Sequence, residues 1–151
     1  MAACRQIITL DIHSEKFYHI YRSEFVLYSN TAIFRHQKNT MKIPNADRAI
    51  IDIQKLRDYC LNPTHDEGKH KARLFAAALG MTAGDAEDLR DMLYQAVMTQ
   101  DNARLGRRDE YGQRYVLDFI LEKHGRRAMI RSGWMIEHGK DIPRLTTCYP
   151  L

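Results

Sequence analysis

The sequence predicts an α+β domain, with N-terminal helices packed on one face of a three- to four-stranded antiparallel sheet. Three observations predict it. Apolar residues between Gln54 and Met98 recur at helical spacing. From Arg114 onward they recur at every second position. The pairs His124-Gly125 and His138-Gly139 cut that second half into runs of meander length. A chain of 151 residues allows one domain and not two.

Residues 1–40 hold a short β-like run, Ile7, Ile8, Leu10 and Ile12, and an aromatic series at helical spacing, Phe17, Tyr21, Phe25 and Tyr28. Neither period lasts, and Met41-Lys42-Ile43-Pro44-Asn45 reads like a natural protein start. Two readings of this segment stand open. It is an upstream extension, non-native or poorly packed, or an N-terminal arm that packs on the domain or on a second copy. Residues 41–151 are expected to form the single α+β domain.

Within that domain Gln54 to Leu61 looks helical, and Asn62-Pro63 stops it because a residue before proline avoids the helical region. Thr64 to Gly68 is a polar loop. Lys69 to Leu79 is the next helix, with Ala72, Phe75, Ala76 and Leu79 on one face and Gly80 at its C-terminal stop. Thr82 with Asp85 resembles a capping arrangement, and a third helix follows over 84–98 with Ala86, Leu89, Leu93, Ala96 and Val97 as its stripe. Asp101 to Asp109 reads as a polar linker. Strands are expected at about 113–122, 127–137 and 144–149, with Tyr115, Leu117, Phe119 and Leu121 alternating against Arg114, Val116, Asp118 and Ile120. Trp134 is expected in the core.

The chain is 44% apolar and 28% charged, an ordinary globular mix. It lacks the run of about 18 apolar residues that a membrane span needs, and no secretory signal pattern opens it. Cys4, Cys60 and Cys148 form an odd, sparse set that fits free thiols in a reducing cytosol, and no CxxC pair points to zinc. Lys and Arg exceed Asp and Glu by 23 to 19, a net charge of +4 that suits a nucleic-acid partner without requiring one. There is no phosphate-binding GxxxxGK[ST] loop, GxGxxG turn, HExxH helix or GxSxG elbow. No carboxylates converge from several elements, so neither a metal nor a cofactor is expected.

Two clusters carry the candidate chemistry. Gly68-Lys69-His70-Lys71-Ala72-Arg73 gathers three cations and an imidazole at a predicted helix start, where unpaired N–H groups already attract anions. Lys69, Lys71 and Arg73 would hold a phosphate, and His70 could exchange a proton near neutral pH. The alternative is a solvated helix face. On the strands, Arg114, Asp118 and Arg131 share a predicted sheet face, with the hydroxyls of Ser132, Thr146 and Thr147 nearby. They would orient a phosphate or form a cross-strand ion-pair ladder without further function. His65, His124 and His138 read as plain surface residues. Cys60 and Cys148 have no histidine partner by sequence.

Lys55-Leu56-Arg57-Asp58-Tyr59-Cys60-Leu61-Asn62-Pro63, the Gly68 to Phe75 stretch, Asp109 to Tyr115, Arg131-Ser132-Gly133-Trp134 and Leu145 to Tyr149 together resemble a bacterial family catalogued only as a domain of unknown function. The resemblance covers about Asn45 to Leu151. That family in turn resembles toxin nucleases of the barnase, EndoU, colicin and RelE type, which share helices followed by an antiparallel sheet. The resemblance implies a cytoplasmic, metal-independent ribonuclease toxin whose partners are an RNA substrate and a small antitoxin-like protein. It implies His70, Lys71, Arg131 and Thr146 as catalytic residues and Lys69, Arg73, Arg114 and Ser132 as substrate-binding residues. A non-catalytic module that binds nucleic acid or protein is the alternative, since both need a basic groove.

Overall fold

Five strands form one antiparallel sheet. In the computed structural model, which describes residues 40–151, they are β1 (Thr40–Met41), β2 (Ala103–Asp109), β3 (Gly112–Lys123), β4 (Arg126–Glu137) and β5 (Arg144–Pro150). Their order across the sheet is β1-β2-β3-β4-β5, so β2 to β5 each pair with their sequence neighbours. The three helices come before β2, as expected for this α+β class. The readings of residues 1–40 lie outside the described residues except at Thr40, which pairs with Arg104.

The expected linker over 101–109 is corrected: Ala103–Asp109 is a strand. Only Ala103 in it is buried. The run Arg104-Leu105-Gly106-Arg107-Arg108 therefore carries no apolar alternation, and its pairing with β3 rests on backbone hydrogen bonds. The β3–β4 hairpin is the longest pairing, in unbroken register from Gly112↔Glu137 to Lys123↔Arg126. His124 (φ 52°) and Gly125 (φ 69°) close it, both left-handed, which is what a two-residue turn matching the strand twist requires.

The first helix, α1 (Ile53–Lys55), is capped by Asp52, whose Oδ1 accepts from the Gln54 N–H at 2.9 Å and the Lys55 N–H at 3.4 Å. It passes into a π-helical turn over Leu56–Cys60, closed by the Leu61 N–H on the Leu56 carbonyl at 2.9 Å. The wider turn sends Leu56 and Cys60 into the core and leaves Tyr59 half-buried at its side. Then α2 (Lys69–Leu79) ends at Gly80 (φ 68°), where the Gly80 N–H bonds Ala76 O and the Met81 N–H bonds Phe75 O. The capping box at Thr82 and Asp85 is present and starts the turn that leads into α3 (Ala86–Thr99).

Both long helices present the expected stripes, although Ala76 of α2 faces solvent. Ala86, Leu89, Leu93, Ala96 and Val97 of α3 are all buried. They pack with Phe75, Leu79, Leu56 and Leu61 against Tyr115, Leu117, Phe119, Ile130, Trp134, Leu145 and Cys148 of one sheet face. Trp134, 1% exposed, sits centrally. Its indole N–H needs an acceptor there. Ser132 supplies one at 2.9 Å and donates its own hydroxyl to Leu117 O across the strands at 3.1 Å.

One contact seats α2. A Cβ on Gly68 would lie 2.0 Å from the Tyr59 carbonyl oxygen, so the start of α2 rests directly on the π-helical turn. Gly68→Ala is expected to destabilise the fold by about 2–3 kcal/mol, since one of two backbone segments must move. Gly84→Ala should be near neutral, because the nearest atom there, Thr82 Oγ1, is 3.6 Å away. Urea unfolding of both variants checks the contrast, and equal midpoints would refute it.

Candidate phosphate-binding face

The helices occupy one side of the sheet. On the other, strand alternation places Arg114, Val116 and Asp118 of β3, Arg131 and Gly133 of β4, Arg104 of β2, and Thr147 and Tyr149 of β5. Arg131 lies opposite both Asp118 and Tyr149, and Gly133 opposite both Val116 and Thr147. A Cβ on Gly133 would meet Thr147 Cγ2 at 3.0 Å and Thr146 Oγ1 at 3.1 Å, so this glycine leaves a dip in the face.

At the β5 edge, Lys71 reaches out from the first turn of α2. Its Nζ donates to Thr147 Oγ1 at 3.0 Å and to the Tyr59 hydroxyl at 3.4 Å, and lies 4.5 Å from the Tyr59 ring centroid. Beside it Lys55 Nζ donates to the Thr146 carbonyl at 2.6 Å. His65 stands edge-on to Tyr59 with ring centres 4.9 Å apart. Its Nδ1 accepts the N–H groups of Glu67 (3.2 Å) and Gly68 (3.1 Å), which puts the ring proton on Nε2. So the imidazole that reads as a plain surface residue in the sequence braces the loop leading into α2.

Across the sheet, Arg131 grips Asp118 with two parallel bonds of 2.8 Å, and Arg104 reaches the same carboxylate at 2.6 Å. Hydrogen bonding from Arg131 first, and the charge of Arg104 after it, hold the Asp118 carboxyl below its usual range against the opposing effect of burial. The Asp118 carboxylate and, more weakly, the Tyr149 hydroxyl raise the Arg131 guanidinium further above its already high value. The Arg–Asp–Arg arrangement therefore exists, but its second arginine is Arg104, from the segment read as a linker. Arg114 turns the other way along the face, to Asp109 at 2.9 Å.

The face thus brings together Lys71, Thr147, Tyr149, Arg131, Asp118 and Arg104. Thr146 joins through its carbonyl, while its hydroxyl donates to Gly133 O at 2.9 Å. Ser132 does not join: it is 0% exposed and belongs to the Trp134 network in the core. His70 and Arg73 are exposed on α2 and Lys69 is half-exposed, and none makes a side-chain hydrogen bond or ion pair among the described residues. Sequence reasoning missed Lys55, Tyr59, His65 and Arg104. Tyr59 stood within the Lys55 to Pro63 stretch, but nothing in that stretch said which face it would reach. Among the described residues no three His, Cys, Asp or Glu side chains gather to hold a metal ion, and no helix is long and apolar enough to cross a membrane.

Residues 42–151 match the model of a family described as "Domain of unknown function (DUF6883)". Among solved structures, one chain of a contact-dependent growth inhibition toxin–immunity protein complex from Klebsiella pneumoniae 342 superposes with a TM-score of 0.54 at 15% identity. The match covers 68% of this chain and 99% of that chain, and at this identity the likeness is one of fold. No curated protein matches the chain.

Asp109 gives the face a measurable pH response. Hydrogen bonds from Arg114 first, then from the Tyr111 N–H and Arg107, hold its carboxyl down at about 2. An unfolded aspartate titrates near ~3.9. The stability Asp109 contributes is therefore present above about pH 4 and lost as pH falls toward 2. Urea midpoints measured from pH 5 downward should fall more steeply for the parent protein than for Asp109→Asn. Parallel curves would show that Asp109 is not the titrating group.

Proposed function

The chain belongs to the DUF6883 family, and from that premise we propose that it is a metal-independent ribonuclease toxin of the barnase, EndoU, colicin and RelE kind, neutralised by a small partner protein. The observation that carries this reading is a polar band that starts at the β5 edge, where Lys71 and Tyr59 of the helical layer meet Thr147, and continues onto the sheet face away from the helices, where Arg131 lies beside Tyr149. Within that band Arg131 and Arg104 share the carboxylate of Asp118, which leaves this group of three one net positive charge beside Lys71. The fold it shares with a chain of a toxin–immunity protein complex supports the toxin and partner parts of the reading.

RNA brings its own nucleophile, the 2′-hydroxyl, so the protein has three tasks: take a proton, return one, and stabilise charge on the phosphate. Lys71 and Arg131 suit the charge, with Lys69 and Arg73 as outlying contacts to the RNA backbone. Thr147 and Tyr59 fix the direction of the Lys71 ammonium. Proton transfer falls to His70 rather than His65. The Nδ1 of His65 is already occupied by two N–H groups, whereas His70, one residue from Lys71, is exposed.

Purified protein on labelled RNA is expected to leave 2′,3′-cyclic phosphate ends, to work in EDTA and to spare DNA, which lacks the attacking hydroxyl. His70→Ala should cut the rate about 10²- to 10⁴-fold, and Lys71→Ala about 10²- to 10³-fold through lost charge stabilisation. Cleavage that stops in EDTA or proceeds on DNA would sink the mechanism. A folded, partner-free protein that binds RNA but cuts none would establish the alternative, a binding module.

A further inference from the structure

Two cysteines meet in the core beneath the face. Cys60 ends the π-helical turn and Cys148 lies in β5, 88 positions apart in sequence, yet their sulfurs are 3.9 Å apart, with Cys148 Sγ donating to Cys60 Sγ. Both are free thiols and both are buried, at 1% and 0% exposure. Each is next in sequence to a residue that holds Lys71: Tyr59 before Cys60 and Thr147 before Cys148. We propose that Cys60 and Cys148 are a thiol–disulfide site, which a low-molecular-weight disulfide such as oxidised glutathione closes into a bond fastening the π-helical turn to the edge strand. The proposal goes beyond the ribonuclease reading and stands whether or not RNA is cut.

The two sulfurs are unequal in a way that orders the steps. The hydrogen bond from Cys148, and then the positive charges of Lys71 and Lys55, bring the Cys60 thiol down to about 7 in spite of burial. Cys148 is pushed up, by its bond to Cys60 and by burial. Cys60 is therefore the thiolate that attacks one sulfur of the small disulfide, forming a protein–glutathione mixed disulfide and expelling one glutathione thiolate. That leaving thiolate takes the proton from Cys148. The Cys148 thiolate then attacks the Cys60 sulfur and expels the second glutathione thiolate, which is protonated from solvent. Two protein thiols are oxidised, one small disulfide is reduced to two thiols, and no other reagent is needed. Both sulfurs are buried, so the reaction requires a transient local opening, and the π-helical turn that carries Cys60 is the segment proposed to open.

The test uses the full chain carrying Cys4→Ser, so that the third cysteine cannot take part. The folded protein is incubated with oxidised glutathione, quenched with an alkylating agent and mapped by mass spectrometry. The expected product is two hydrogens lighter, yields linked Cys60 and Cys148 peptides, and melts about 5–10 °C higher until dithiothreitol is added. Adding Cys148→Ser should stop the reaction at a single glutathione on Cys60. The proposal is overturned if the folded protein keeps both thiols while urea-unfolded protein oxidises under the same conditions, or if the first adduct forms on Cys148. Because the mapping and the melt do not involve RNA, an inactive but cross-linked protein would separate this site from the ribonuclease reading.

Discussion

The carbonyl of Tyr59 lies where a side chain on residue 68 would have to begin, and much of the molecule follows from that contact. It lets the start of α2 settle on the π-helical turn with no side chain between them. Lys71, three residues on, then clears the edge of β5 and meets Thr147. The same seating brings the Glu67 and Gly68 N–H groups onto His65, which in turn stands against the Tyr59 ring. Phe75 and Leu79, one and two turns further along α2, are carried into the core by the same placement. One missing Cβ thus couples the packing of a helix to the position of a cation.

Charge on the sheet face is arranged by pairing. Asp118 holds Arg131 in a bidentate geometry and takes Arg104 as well, so both guanidiniums are fixed in direction while the group keeps a net positive charge. Lys71 differs: hydroxyls and an aromatic ring hold it, and among the described residues no carboxylate lies within ion-pair distance. In the proposed reading that ammonium meets the phosphate directly. A face with one unneutralised lysine and two braced arginines combines attraction with orientation.

How much of this was legible depended on whether a residue's partners were near in sequence. The α3 stripe from Ala86 to Val97 could be read because a helix repeats its own pattern, and the β3–β4 hairpin because its alternation and its His124-Gly125 turn are local. Strand β2 could not, since Arg104 to Arg108 pairs through its backbone and buries no side chain. Of the expected Arg114, Asp118 and Arg131, Arg131 meets Asp118, while Arg114 pairs with Asp109 and the second arginine on Asp118 is Arg104, from that unread strand. Lys71 was legible as part of a basic cluster; Tyr59, His65 and Thr147 became its neighbours only through the contact at Gly68. Ser132 carried a signal that pointed the wrong way, because a hydroxyl on a strand looks the same in sequence whether it serves a face or an indole in the core.

The sheet order has a consequence for how the chain comes together. From β3 to β5 every strand pairs with the one just before it, so these contacts form at short loop-closure cost, and the β3–β4 hairpin with its tight turn is the natural place for folding to begin. The helical layer precedes all four strands in the chain and, among the described residues, buries its apolar stripes against them. On a ribosome, α1 to α3 therefore emerge before the sheet face on which they pack. β5 emerges after every other element, bringing Leu145 and Cys148 to the core in the same few residues that bring Thr147 and Tyr149 to the face. Closing the interior and assembling the outer surface are then one event, the pairing of β5 with β4, and a chain without β5 has neither.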